Sequence, residues 1–203
     1  TDRFPLFDET VPSYGGLNWS GNFGEYAFLT RLRAEQLRDI GPALSPHSAW
    51  LLATGVETLP FRMQAHVDNA RLVAEWLEAD SRIEKVYWAG LSGHPHFERA
   101  QKYLPKGAGS VFSFEVRATG TQSSRAVGQK FIESVELASH LANIGDAKTL
   151  VIHPASTTHA QLTEQQLTDA GVLPGVVRIS VGIEDPEDII DDLDQALTEA
   201  TKG

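Results

Sequence analysis

One arginine in the last quarter of the sequence has the setting of a carboxylate-binding group. Arg178 lies in an alternating apolar segment, on the side that also carries Val176, Ser180 and Gly182. A guanidinium group offers a planar fork that matches the two oxygens of a carboxylate. The pattern therefore indicates a site for the acid group of a substrate, although a solvated arginine on the open face of a sheet would give the same spacing.

A second candidate for the same site is Asn143, which precedes the turn-like pair Gly145-Asp146. Its side-chain amide could contact a carboxylate. The same amide could equally close an Asx-turn, which is what asparagine most often does in such a sequence. The residue types alone favour the turn.

Histidines and hydroxyl residues are concentrated between His153 and His159 without forming a known motif. Zinc sites need three or four converging ligands, and the spacing of these histidines and of His94, His96 and His140 fits no common metal-binding pattern. No Gly-x-Ser-x-Gly elbow surrounds Ser156 or its threonine neighbours, and clustered loop hydroxyls usually satisfy backbone groups. We therefore expect neither a metal site nor a serine nucleophile.

The lysines are the candidates for a Schiff-base residue, which needs a desolvated pocket to lower its pKa. Each of them lies in a polar or helix-surface context: Lys85, Lys102, Lys106, Lys130, Lys148 and Lys202. The sequence therefore predicts no catalytic residue within this chain.

Composition excludes several classes of protein. The chain has 203 residues, a formal net charge of -10 and no cysteine. Its basic residues are scattered, which argues against a nucleic-acid surface, and it can form no disulfide or thiolate metal site. No apolar run approaches the length of a membrane span. These features suit a cytoplasmic protein with a sizeable core.

The periodicity of the sequence predicts mixed α/β structure. Helices are expected over residues 24–39, from Ser45 and again from Pro60, where the stripe Met63, Val67, Ala70, Ala74 and Leu77 follows helical spacing. Alternation predicts strands over residues 83–88, 109–117 and 176–183 and shorter ones near 137–141 and 149–152. Further helices are expected over residues 96–103, 123–135 and 163–170 and after Asp185, the last with Ile190, Leu193 and Leu197 facing inward. Sheet faces that are only half apolar indicate helices packed on one side.

Three segments of the sequence resemble one known family. They are GVETLPFRMQAH at residues 55–66 with Asn69-Ala70, ANIGDAKTLVIHPASTTHAQL at 142–162 and GVVRISVGIED at 175–185. In this order they resemble the Cys/Met-metabolism enzymes that depend on pyridoxal phosphate, and most closely the O-acetylhomoserine sulfhydrylase branch. The resemblance covers nearly the whole chain and is weakest at residues 1–22 and 118–124.

The resemblance implies a fold of the aspartate-aminotransferase type (fold type I), of which this chain would be the C-terminal part. Residues 1–44 would be the tail of the cofactor-binding lobe, residues 45–79 the long connecting helices, and residues 80–203 the small α/β domain. The lysine that carries pyridoxal 5'-phosphate would lie in the missing N-terminal lobe. The residues that contact the cofactor from this chain remain unassigned.

The resemblance also implies a reaction and two binding residues. Arg178 matches the position that holds the substrate α-carboxylate, and Asn143 a neighbouring position where the γ-lyases often carry serine. Thr158 and His159 match positions that shape the loop. The implied reaction is γ-replacement, in which O-acetylhomoserine and sulfide give homocysteine and acetate, catalysed by a homo-oligomer. Two alternatives remain: a cystathionine γ-synthase or γ-lyase relative, and a free-standing amino-acid-binding module. A metal hydrolase is a third, less favoured alternative.

Overall fold

The computed structural model describes residues 3–202, except for the side chain of Glu164. The chain divides into two compact units, Thr1–Gly55 and Val56–Gly203, which are described separately below. The three-part division expected from the sequence is a finer one and stays a prediction.

The first unit consists of a short hairpin followed by helical segments. Strands β1 (Thr10–Val11) and β2 (Leu17–Asn18) pair antiparallel around a 3₁₀ turn at Pro12–Tyr14. Helices α1 (Trp19–Phe23) and α2 (Ala27–Arg31) follow, and the chain continues as a π-helix over Leu32–Ile40. The predicted helix over residues 24–39 is therefore confirmed in position, although its geometry is not α-helical throughout.

Trp19 is the centre of this unit. Its side chain is 1% exposed, and its ring lies 5.4 Å from that of Tyr14 and 5.9 Å from that of Phe23. Most other large apolar residues of the unit remain exposed, which leaves it with little core of its own.

Two consecutive helices begin where proline and a cap predict them. In α3 (Pro46–Glu57) the Ser45 hydroxyl accepts a hydrogen bond from the backbone of Ser48 at 3.1 Å, as a cap does. Helix α4 (Leu59–Ala79) has Pro60 in its first turn, where no donor is needed. The predicted stripe of α4 is buried from Ala70 to Leu77, whereas Met63 is 40% exposed.

The second unit is built on a five-stranded mixed sheet in the order β3-β4-β7-β6-β5. The strands are β3 (Ile83–Tyr87), β4 (Val111–Val116), β5 (Ser139–His140), β6 (Leu150–Ile152) and β7 (Val176–Ser180). Only the β5–β6 pair is parallel; β3–β4, β4–β7 and β6–β7 are antiparallel.

The predicted strand over residues 176–183 was too long. Strand β7 ends at Ser180, and Ile183 is 37% exposed rather than facing the core. The reason is that the backbone N–H groups of Gly182 and Ile183 bond to Thr149 and Ala147, in the segment that leads into β6, so this stretch turns away from the ladder.

Helices α4, α6 (Ser124–Ser134) and α8 (Pro186–Thr201) cover one face of the sheet, as the sequence predicted. The core forms where they meet the inward residues of the strands, among them Phe114, Val177 and Ile179, all fully buried. Each such side chain contributes about 1.5–3 kcal/mol by leaving water. In α8 the inward positions include Leu193 and Leu197 as expected, but Ile189 rather than Ile190 is fully buried.

The remaining helices, α5 (Phe97–Tyr103) and α7 (Glu164–Asp169), are short and lie close to their predicted positions. Thr163 begins α7 with a capping box in which it exchanges hydrogen bonds with Gln166. None of the helices described between residues 3 and 202 is long and apolar enough to cross a membrane.

Candidate functional site

Arg178 lies at the middle of β7, between Ser113 of β4 and Ile152 of β6. Its strand neighbours Val177 and Ile179 point to the helix side and are fully buried, so the arginine points to the opposite face. That face is close-packed beside it, because Ser180 is only 2% exposed. Arg178 itself is half-buried, which places a charged group at the border between packed sheet and solvent.

The guanidinium of Arg178 has one protein partner in the described structure. Its Nη2 atom donates to the backbone carbonyl of Asn143 at 3.3 Å. No carboxylate among the described side chains forms an ion pair with it. Because a guanidinium has five N–H donors, most of its capacity remains for a bound anion. The geometry can therefore accept a carboxylate without first breaking a salt bridge.

Asn143 lies next to Arg178, as predicted, but the observed contact is made by its backbone. The side-chain oxygen accepts from the N–H of Ile144 at 2.9 Å, and the side-chain nitrogen donates to Asp146 at 3.4 Å. The amide is therefore occupied within its own turn. A direct contact between the amide and a substrate stays a prediction.

Asp146 holds this turn together from its other end. Its carboxylate accepts the backbone N–H of Lys148 at 3.0 Å as well as the amide of Asn143. The hydrogen bond from Lys148 is the main reason that the pKa of the Asp146 carboxyl is lowered. The ionised form of Asp146 is the one that keeps the turn closed.

The segment after β7 is fixed by polar groups that the sequence analysis did not assign to the site. On α4, His66 and Asn69 are buried, and they donate to backbone carbonyls at residues 181–184. Glu184 in turn bonds to Thr149, at the start of β6. His66 and Asn69 are polar residues beside the apolar stripe of an amphipathic helix. That position was the sequence signal that could have indicated buried hydrogen bonds from this helix.

His153 is a packing residue rather than an exposed ligand. Its ring is fully buried, with Nδ1 2.9 Å from the Ser156 hydroxyl and Nε2 2.7 Å from the carbonyl of Pro174. A carbonyl can only accept, so Nε2 carries the proton and Nδ1 accepts from Ser156. Burial is the main cause of the lowered pKa of His153, which favours the neutral ring.

The other candidate residues make no described contact with Arg178. Thr158 and His159 bond to each other at 2.9 Å near the surface. The rings of His94, which is half-buried, and His96, which is exposed, have centroids 5.7 Å apart. Over residues 3–202 no group of three His, Asp or Glu side chains is arranged to hold a metal ion.

All lysines of the chain fall within the described residues, and none is buried. Five are exposed, and Lys130 is half-buried with its ammonium 3.8 Å from Glu199. This matches the surface setting predicted from the sequence. An exposed lysine lacks the desolvated surroundings that lower the pKa of an amine toward neutrality.

The comparison with known families gives the class of the protein. The chain belongs to the Cys/Met metabolism PLP-dependent enzymes, where PLP is pyridoxal phosphate, and the family model matches residues 22–198. The resemblance stated from the sequence motifs is thereby confirmed.

Several individual relatives are similar to the chain over almost its whole length. The chain is 47% identical over 204 residues to O-acetyl-L-homoserine sulfhydrylase of Leptospira meyeri, which covers 96% of the chain and 45% of that protein. It is 44% identical over 195 residues to O-acetyl-L-homoserine sulfhydrylase 1 of Thermus thermophilus, with the same two shares. It is 40% identical over 207 residues to the homocysteine/cysteine synthase of Saccharomyces cerevisiae, covering 100% of the chain and 47% of that protein.

A solved structure shares the fold. The crystal structure of a protein named as an O-acetylhomoserine (thiol)-lyase from Campylobacter jejuni superposes with a TM-score of 0.80 at 36% identity. The match covers 98% of this chain and 46% of that one, which contains a pyridoxyl-lysine phosphate. The predicted fold class, α/β of fold type I, is confirmed. The chain spans about half the length of the relatives it matches.

Proposed function

We propose that this chain supplies the substrate-carboxylate site of a pyridoxal-phosphate-dependent O-acetylhomoserine sulfhydrylase. The observation that carries the proposal is the Arg178 guanidinium, which is half-buried, free of carboxylate partners among the described residues and placed beside the Asn143 turn. The relatives reported above bear sulfhydrylase or homocysteine synthase names, which supports this branch over the cystathionine γ-synthases and γ-lyases.

The role of Arg178 in the reaction is to fix the amino-acid substrate by its acid group. A bidentate pair with the α-carboxylate would set both the position and the rotation of the substrate. Orientation of this kind supplies part of the rate enhancement because the reacting carbons are presented in one geometry. The cofactor, when bound, withdraws electrons so that acetate can leave from the γ-carbon and sulfide can take its place.

The lysine that binds the cofactor would come from the part of the protein outside this chain. The exposed lysines of the chain support this assignment. So does the apolar surface of α3, where Trp50, Leu51, Leu52 and Val56 are all more than half exposed. Side chains of this kind usually pack against another surface. We therefore expect the chain by itself to be inactive. From the family resemblance we also expect the intact enzyme to be a cytoplasmic homo-oligomer.

The first experiment compares Arg178→Ala and Arg178→Lys with the wild type in the intact enzyme. Removal of one charged hydrogen-bonding partner costs about 1.5–3 kcal/mol, so kcat/KM for O-acetylhomoserine should fall by roughly ten- to a hundredfold. The KM for sulfide should not change, because sulfide has no carboxylate. Lysine keeps the charge without the fork and should recover only part of the loss. An unchanged kcat/KM in Arg178→Ala would remove the arginine from the site.

The second experiment uses the 203-residue chain without the rest of the protein. Mixed with pyridoxal phosphate and reduced with borohydride, it should retain no stoichiometric, covalently attached cofactor. A single modified lysine at full occupancy would show that the chain carries its own cofactor amine. The free-standing binding module predicts instead that this chain binds amino acids tightly without any cofactor, which calorimetry would detect.

A further inference from the structure

A closed ring of hydrogen bonds joins the end of β7 to the start of β6. One carboxylate oxygen of Glu184 accepts the backbone N–H of Thr149 at 2.6 Å, and the other accepts the Thr149 hydroxyl at 2.9 Å. The same hydroxyl accepts the backbone N–H of Gly182 at 2.9 Å. Thr149 is fully buried, so each of these groups would cost free energy if it lost its partner.

Helix α4 fixes the backbone from which Glu184 reaches Thr149. His66, 1% exposed, donates from Nδ1 to the carbonyl of Val181 at 2.7 Å. Asn69 donates to the carbonyls of Gly182 and Glu184 at 3.2 and 2.7 Å. A packed helix therefore holds the backbone of this segment by three hydrogen bonds.

The network continues from Thr149 to the arginine of the site. The residue before it, Lys148, donates its backbone N–H to Asp146, and Asp146 accepts the side-chain amide of Asn143. The carbonyl of Asn143 accepts Nη2 of Arg178. Every step is a hydrogen bond or runs along covalent bonds within or between neighbouring residues, so the path from Glu184 to Arg178 is continuous.

Gly182 allows the backbone after β7 to lie directly against the backbone before β6. A Cβ atom at this position would overlap the carboxylate of Glu184 and lie 2.6 Å from the carbonyl of Ala147. That carbonyl accepts the N–H of Ile183 at 2.9 Å. Only glycine allows the segment before β6 to lie so close to the segment after β7.

The turn at residues 143–145 has no packing of its own, because Asn143, Ile144 and Gly145 are all exposed. Its position therefore depends on hydrogen bonds rather than on burial. Among the bonds that anchor the residues after the turn to the core, the Glu184 carboxylate accepts the two from Thr149, and the Ala147 carbonyl accepts one from Ile183. We propose that Glu184 is a positioning residue, which holds the Asn143 turn so that its carbonyl orients the Arg178 guanidinium for a substrate carboxylate. The proposal rests on the proposed function of Arg178.

The main test is Glu184→Gln in the intact enzyme, followed by hydrogen exchange and by kinetics. Glutamine keeps the size of the side chain but presents an N–H₂ group where one of the two oxygens stood, so it can satisfy only one of the two Thr149 donors. Backbone exchange should become faster in residues 143–149 and stay unchanged in the helices. The KM for O-acetylhomoserine should rise roughly tenfold, as expected for a slightly misplaced binding group, with the KM for sulfide unchanged.

The matched control is Glu133→Gln, which alters an exposed glutamate that is bonded to Gln129 on the same helix. It should change neither the exchange of residues 143–149 nor either KM. A purely structural role for Glu184 would give a different pattern, with a lower melting temperature and fewer active molecules but an unchanged KM for the amino acid.

A second pair of variants covers the case in which Glu184→Gln does not fold. Thr149→Ser keeps the hydroxyl and should retain slow exchange and normal KM, whereas Thr149→Val removes it and should reproduce the loss. If neither Glu184→Gln nor Thr149→Val changes the exchange or the KM while Arg178→Ala raises the KM, the positioning role is wrong and the proposed function stands. If Arg178→Ala also leaves the KM unchanged, the proposed function fails, and the exchange data still report whether Glu184 holds the turn.

Discussion

Replacement of Asp192 by alanine should destabilise the sheet-bearing unit more than any surface change on the same helix. Asp192 lies on the inner side of α8 and is 7% exposed. Its two carboxylate oxygens accept the backbone N–H groups of Glu136 and Ala138 at 2.7 and 2.8 Å. These bonds fix the segment between α6 and β5, which is neither helix nor strand.

The expected magnitude follows from the groups that alanine would leave unpaired. A buried N–H without an acceptor costs about 1–3 kcal/mol, which applies to Ala138, whereas the N–H of Glu136 is only partly buried and costs less. The loss of both acceptors should therefore lower the free energy of unfolding by roughly 2–4 kcal/mol. Asparagine can still accept one of the two bonds, so Asp192→Asn should cost about half as much. Against a total stability of about 5–15 kcal/mol, both changes are large enough to measure.

The assay is urea unfolding of the 203-residue chain at neutral pH, followed by circular dichroism. Asp191→Ala is the control, because Asp191 is the adjacent, exposed residue of the same helix and the change in helix propensity is identical. The control should be neutral or slightly stabilising. Equal unfolding midpoints for Asp192→Ala and Asp191→Ala would refute the claim that the buried carboxylate holds the chain before β5.

Three further results are expected from the same chain. Because burial lowers the pKa of His153 in the folded chain, the unfolded chain binds a proton at a higher pH than the folded chain does. The free energy of unfolding should therefore fall as the pH drops below about 6.5, and it should fall less in His153→Gln. Equal slopes of unfolding free energy against pH in the two proteins would contradict this. Gly128→Ala places a Cβ 2.9 Å from the buried His153 ring and should cost about 1–3 kcal/mol, whereas Gly120→Ala, with open space around it, should be neutral or stabilising. Burial and a hydrogen bond to Glu115 raise the pKa of Tyr87 to about 12, so in an ultraviolet titration Tyr87→Phe should remove the component with the highest pKa; loss of a component near 10 would be evidence against the burial.

The periodicity of the sequence was sufficient to predict most of the second unit. The alternation around Phe112, Phe114 and Val116 located β4 and its core-facing side, and the same pattern placed Arg178 on the face of β7 opposite Val177 and Ile179. Both predictions succeed because strand neighbours alternate by geometry, independently of what they contact. Caps and prolines likewise located the beginnings of α3, α4 and α8.

Contacts between distant segments could not be predicted in this way. Strand β7 stops before Ile183 because its continuation bonds to a segment more than thirty residues earlier in the sequence. Glu184 and Thr149 are 35 residues apart, and nothing local marks them as partners. Asn143 contacts Arg178 through its backbone carbonyl, and the position of that carbonyl depends on the path of an exposed turn. The identity of the side chain does not predict that path.

The proposed binding of a substrate carboxylate by Arg178 can be tested directly. The direct measurement is the inhibition constant of a non-reacting homoserine analogue and of its carboxamide, in the intact wild-type enzyme and in Arg178→Lys. We expect the wild type to favour the carboxylate by roughly ten- to a hundredfold, about 1.5–3 kcal/mol for a charged hydrogen-bonded pair, and the variant to lose most of that preference. A preference that is the same in both enzymes would contradict the account.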